Sequence, residues 1–135
     1  MAKQIDKKLT FKLKLLKMKR IIVLIIFGFI TIKGFSQNIS NVKAEESHLY
    51  VYDGNGRKVN DFYCTGRMFG FSSLIIGSVG DKNHVYVYNA EGRKLSDFYV
   101  TGTPVNVSGD QIISKSGNHV FVYNKEGRKI NDYFE

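Results

Sequence analysis

Three stretches of the chain carry one pattern of apolar and polar positions. They are His48-Leu49-Tyr50-Val51-Tyr52, His84-Val85-Tyr86-Val87-Tyr88 and His119-Val120-Phe121-Val122-Tyr123. Successive side chains of an extended strand point to opposite faces, so Val85 and Val87 share one face while His84, Tyr86 and Tyr88 share the other. Both faces are largely apolar, which predicts a strand covered above and below by stacked sheets. Each stretch runs into a turn that ends in glycine: Asp53 to Gly56, Asn89 to Gly92, Asn124 to Gly127. Glycine enters positive φ at little steric cost, so the turn reads as type I closed by a left-handed residue, and the unit as a β-hairpin.

The copies start 36 and then 35 residues apart, which makes the chain a tandem repeat. Between hairpins, residues 105–107 and 111–114 read as two further short strands joined at Ser108-Gly109-Asp110. Residues 69–83 take the same role, with Leu74, Ile75 and Ile76 as the buried strand, and residues 38–47 are a shorter, more polar version. The first repeat is therefore expected to be incomplete. Each returning strand opens with Arg-Lys, at Arg57-Lys58, Arg93-Lys94 and Arg128-Lys129. Charges of this kind on an outer strand discourage pairing with another molecule, so these are read as edge strands.

The segment ahead of the repeats has a different character. Lys19 and Arg20 precede a twelve-residue apolar run, residues 21–32, which Lys33 ends. A bilayer-spanning helix needs roughly 20 apolar residues, so the layout is that of a signal peptide. Small residues place cleavage after Ser36, and Met18 is the simpler start. The domain reading is thus a signal segment over 1–36 and one β-repeat domain over 37–135, with repeats at about 38–66, 67–102 and 103–135. Export to the periplasm or medium follows, and the membrane is met only through the export signal. The alternative is an uncleaved N-terminal anchor, a basic amphipathic helix at the membrane surface.

Charge sharpens this division. Residues 1–36 hold nine basic residues and one acidic, while residues 37–135 hold eleven of each. A neutral domain excludes nucleic-acid binding built on net charge. Cys64 is the only cysteine, so no disulfide forms within the chain, and it aligns with Val100 as a small hydrophobe.

Four short strands per unit, with a hairpin written aliphatic-Tyr-Val-Tyr-Asn-x-x-Gly-Arg-Lys and best seen in residues 84–94, resemble a blade of a β-propeller. The resemblance covers residues 38–135 and implies a fold more than an activity; such proteins are mostly binding platforms. A closed propeller needs at least about four blades, whereas this domain holds fewer than three full units. An open stack, a ring completed by oligomerisation, or a remnant of a larger propeller are the expected outcomes. A β-trefoil is the alternative architecture.

The candidate chemistry is sparse. His48, His84 and His119 recur at one place in each repeat without a nearby carboxylate or cysteine in ligand spacing, so they read as strand-start residues bonding a turn backbone and not as metal ligands. Asp61, Asp97 and Asp132 also repeat, whereas acid and base catalysis needs unlike environments. They read as structural, bonding neighbouring amides or the Arg of their own hairpin. No Gly-x-Ser-x-Gly elbow and no cofactor-binding loop is present. The expected function is an exported, non-enzymatic module that binds a glycan or protein partner, as a homo-oligomer where rings are completed. Tyr50, Tyr86, Arg57, Arg93 and Arg128 are the candidate binding residues. The alternatives are a truncated remnant with no independent activity and, last, a periplasmic hydrolase or lyase.

Overall fold

The structure is a computed structural model that describes Lys12 and residues 38–135. The signal segment, the Met18 start and the cleavage after Ser36 lie outside the described residues. The rest is all-β. The strands run β1 Asn41–Glu45, β2 His48–Tyr52, β3 Lys58–Tyr63, β4 Arg67–Phe71, β5 Ile76–Val79, β6 His84–Tyr88, β7 Lys94–Tyr99, β8 Thr103–Ser108, β9 Gln111–Ser116, β10 His119–Asn124 and β11 Lys129–Phe134.

They form three separate antiparallel sheets, ordered β1-β2-β3, β4-β5-β6-β7 and β8-β9-β10-β11, which we call sheets 1, 2 and 3. No ladder joins one sheet to another among the described residues, so the arrangement is an unclosed series of propeller-like blades. A trefoil would merge strands of all repeats into one barrel, and that alternative is set aside. As expected, β3, β7 and β11 are edges. Pro104 lies in β8, another edge, where its missing N–H costs no ladder bond.

Each hairpin closes as its sequence requires. Gly56, Gly92 and Gly127 have φ of 74°, 79° and 90°. The Asp53, Asn89 and Asn124 side chains accept the backbone N–H of Arg57, Arg93 and Arg128 at 3.0, 2.9 and 2.9 Å, an Asx device that fixes the turn from its first residue. One extra residue on each returning strand, Val59, Leu95 or Ile130, makes a bulge beside Tyr52, Tyr88 or Tyr123.

Two cores hold the sheets together. Leu49 and Val51 of sheet 1 pack with Ile76, Tyr88 and Ala90 of sheet 2; Val85 and Val87 of sheet 2 pack with Val107, Ile112, Phe121 and Tyr123 of sheet 3. Coverage on both faces therefore holds for the middle sheet's inner strands. Towards the outer edge it fails, since His84 and Tyr86 are only half-buried. A second correction concerns Leu74, which is 46% exposed in the connection before β5, so the buried strand begins at Ile76.

The joint between sheets is made twice with the same parts. Phe62 lies over Gly92 so closely that a Cβ there would stand 2.6 Å from the ring; Phe98 lies over Gly127 with a corresponding 2.5 Å. Beside these, the Asn60 amide donates to the Ala90 carbonyl at 3.2 Å, and the Ser96 hydroxyl donates to the Lys125 carbonyl. The linkers are clamped likewise. Ser78 and Ser114, fully buried, donate to the Thr65 and Thr101 carbonyls at 2.6 Å each.

Candidate functional site

The register that pairs His48 with Tyr63 and Tyr50 with Asp61 sets these four side chains on one face of the outer hairpin. The same pairing recurs at His84, Tyr99, Tyr86 and Asp97, and at His119, Phe134, Phe121 and Asp132. In each copy the imidazole Nε2 meets the Asp carboxylate, at 3.0, 2.9 and 3.1 Å. The other carboxylate oxygen takes the ammonium of Lys58, Lys94 or Lys129 at 2.9, 2.7 and 2.6 Å. The imidazole plane stacks on Tyr63, Tyr99 or Phe134 with centroids 4.3, 4.3 and 4.2 Å apart.

Two expectations are corrected here. The histidines bond a carboxylate across the hairpin, not a turn backbone, because thirteen residues of hairpin bring the two together. The aspartates pair with Lys, not with Arg, because Lys58 is on the strand three residues away while Arg57 remains in the turn. The ammonium, and after it the imidazole, holds each carboxyl below the usual carboxylate range. The partner lysines are pushed up by the carboxylates, hydrogen bond first.

An ionised carboxylate only accepts, so Nε2 carries the hydrogen toward Asp97. In the neutral ring Nδ1 of His84 is then an acceptor, and the Tyr86 hydroxyl donates to it at 3.0 Å. Tyr86, His84, Asp97 and Lys94 thus form one continuous run of hydrogen bonds across the hairpin. Its exposed product is a ring: Tyr63, Tyr99 and Phe134 are 73%, 64% and 69% exposed.

Tyr50 and Tyr86 thus sit inside these clusters, half-buried, and the Tyr50 hydroxyl donates to Glu45 at 3.2 Å. Burial, then Glu45, pushes that phenol up. Arg57, Arg93 and Arg128 are not gathered with them; all three are exposed in the turns, and the Arg57 Nε donates to Asp53 at 3.3 Å. The sequence reading missed the exposed rings. Their signal is the aromatic pair ending each repeat: alternation sends Phe62 and Phe98 to the next sheet and Tyr63 and Tyr99 outward.

A hollow of about 490 Å³ adjoins the middle copy, lined by Thr65, Gly66, Gly80, Asp81, Lys82, His84, Tyr86 and Tyr99. The turn beside it is longer than its counterparts and carries Lys82 and Asn83 at φ of 54° and 59°. Among the described residues no group of His, Cys, Asp or Glu is placed to hold a metal ion, and no helix is long and apolar enough to cross a membrane.

No family model matches the sequence, and no curated protein matches it either. Among solved structures, BamB from Moraxella catarrhalis superposes with a TM-score of 0.52 at 12% identity, over 75% of this chain. The chain spans about a third, 33%, of that protein's length. The likeness is one of fold, and it makes this chain similar to part of a propeller.

Proposed function

We propose that the protein is an exported, non-enzymatic interaction module whose outer hairpin edges bind a glycan or protein partner. One observation carries the reading: three equivalent aromatic rings, Tyr63, Tyr99 and Phe134, stand mostly in solvent, each stiffened by a stacked histidine that an Asp-Lys pair holds in place. Core packing does not need these rings. A fixed, exposed aromatic face costs little order on binding and suits the apolar face of a pyranose or an apolar side chain at a protein surface. The basic layout of residues 19–36 supports export.

The test is binding of the exported protein to a glycan array and to detergent-solubilised envelope proteins, beside a triple variant Tyr63→Ala, Tyr99→Ala, Phe134→Ala. Retention of a partner by the wild type and its loss in the variant is the expected result. A partner bound equally by both refutes the edge as the site.

A second reading, a remnant of a larger propeller without a role of its own, is favoured by the fraction of BamB that the chain spans. It predicts no cooperative unfolding transition for the purified protein, whereas an interaction module has one.

A further inference from the structure

We infer that the hollow beside the middle cluster is a glycan site, which takes one hexopyranose unit against the Tyr99 ring with Asp81 and Lys82 on its hydroxyls. The inference deepens the proposed function and rests on it: a glycan is selected over a protein partner, and the middle copy over its two neighbours.

What sets the middle copy apart is a turn. Two residues, Glu46-Ser47, join β1 to β2, and two, Gly117-Asn118, join β9 to β10, whereas β5 and β6 are joined by four, Gly80 to Asn83. The longer turn brings Asp81 and Lys82 to the end of the hairpin at which His84 pairs with Tyr99. Lys82 and Asn83 both hold left-handed backbone, a conformation that a Cβ disfavours and that gathers at ligand sites. Gly80 lets the turn lie against the Tyr86 ring, from which a Cβ at that position would stand 3.3 Å. The hollow of about 490 Å³ that results falls within the range of about 300–1,000 Å³ for small-ligand sites.

Its lining suits a ligand with one apolar face and a polar rim. The Tyr99 ring is 64% exposed and stacks on His84 with centroids 4.3 Å apart, and Asp97 holds that imidazole at 2.9 Å. A ring braced in this way loses little freedom when the C–H face of a sugar covers its open side. The hollow adds a carboxylate, an ammonium and a hydroxyl from Asp81, Lys82 and Thr65, all exposed. Asp81 and Lys82 form no ion pair among the described residues, whereas Asp97 and Lys94 hold each other.

A carboxylate accepts from two hydroxyls and an ammonium donates, and neighbouring sugar hydroxyls do both. The Tyr86 oxygen, whose hydrogen goes to His84, remains an acceptor. The two charges cancel, which disfavours an anion such as phosphate. An apolar side chain of a protein would cover the one ring and leave the polar groups without partners. Neither neighbour repeats the set: Phe121 and Phe134 replace Tyr86 and Tyr99 in the third copy, and the Tyr50 hydroxyl is given to Glu45 in the first.

The experiment is an amide chemical-shift titration by NMR on the protein as exported and purified. The probes are the methyl glycosides of glucose, galactose, mannose and N-acetylglucosamine, each alone, and inorganic phosphate. Tyr99→Ala and Asp81→Ala are the variants, and Asp110→Ala makes the same charge change in another exposed turn. At least one glycoside is expected to shift the amides of Thr65, Gly66 and residues 80–84 saturably, with a dissociation constant of about 1 mM. Tyr99→Ala and Asp81→Ala should each raise that constant at least about tenfold, and Asp110→Ala should leave it unchanged. Both residues are exposed, so unshifted amides elsewhere will show that the variants keep the fold. No glycoside moving these amides, binding that neither variant weakens, the same shifts with phosphate, or equal shifts around Tyr63, Tyr99 and Phe134 each overturns the inference. A protein partner lost on the triple alanine change, with no glycoside in the hollow, would leave the proposed function standing while this inference fell.

Discussion

The Tyr88 hydroxyl accepts the backbone N–H of Thr65 at 2.9 Å, across the linker that leads from one blade into the next. Tyr123 does the same for Thr101 at 3.0 Å. The amide of a linker has no strand partner of its own, and a phenol from the sheet it enters supplies one. With Ser78 and Ser114 taking the carbonyls of the same threonines, both polar groups of each linker residue are satisfied by the sheet that follows.

Tyr88→Phe therefore leaves the Thr65 amide without its acceptor in a half-buried place, while the ring continues to fill the core. The expected cost is about 1 kcal/mol in denaturant unfolding, and Tyr123→Phe should match it. A loss near zero for both would mean that water reaches these amides.

Gly92 should not tolerate a side chain. Its positive φ alone makes alanine cost about 1–2 kcal/mol, and the Phe62 ring occupies the place of the new Cβ. Gly109 has φ of 58° with nothing within 4 Å, so Gly109→Ala isolates the backbone part. Gly92→Ala is expected to be worse than Gly109→Ala by about 1–3 kcal/mol, the scale of overpacking. Equal losses would show that Phe62 moves aside freely.

Much of this was legible beforehand. The period-two alternation and the Asx-x-x-Gly turns give all three hairpins and their left-handed glycines, because strand facing and φ are local properties. The exposure of Leu74 was not legible: Leu74-Ile75-Ile76 is a continuous apolar run, and only the tight Ser72 connection, with its hydroxyl accepting the Leu74 and Ile75 amides, decides that the strand begins at Ile76. The His-Asp-Lys cluster escaped for another reason. Its members are thirteen and three residues apart, and their meeting depends on hairpin register and on the bulge beside Tyr52. Sequence spacing does not display either.

Cys64 is buried, and burial raises its thiol pKa. The neutral thiol is a poor nucleophile, so Ellman's reagent is expected to leave the folded protein unmodified and to react fully once guanidinium unfolds it. Val100 holds the equivalent place and is also buried. Cys64→Val should accordingly cost less than about 1.5 kcal/mol, the bound for volume-conserving changes. Rapid native-state labelling would count against the packing described.

The aspartates of the three clusters give stability a defined acid dependence. Asp61, Asp97 and Asp132 are held below the ordinary value of 3.8, first by their lysines and then by their histidines. Below that value the unfolded chain binds protons that the folded chain does not, so the contribution is complete above about pH 4 and declines as pH falls through the lower folded values. Their lysines, raised above 10.5, contribute stability that is complete below that value and is lost as pH climbs through the raised ones. The clusters are open to solvent and the effect is correspondingly modest and salt-sensitive. Denaturant midpoints measured from pH 2 to 7 should fall on the acid side for the wild type and fall less for Asp61→Asn, Asp97→Asn, Asp132→Asn combined. A residual slope is expected from Asp53, lowered mainly by the Arg57 amide, and from Glu45, lowered by Lys43. Parallel curves for wild type and variant would show that the three carboxylates do not titrate differently in the folded chain, and the pairs drawn from the geometry would then be too loose to matter.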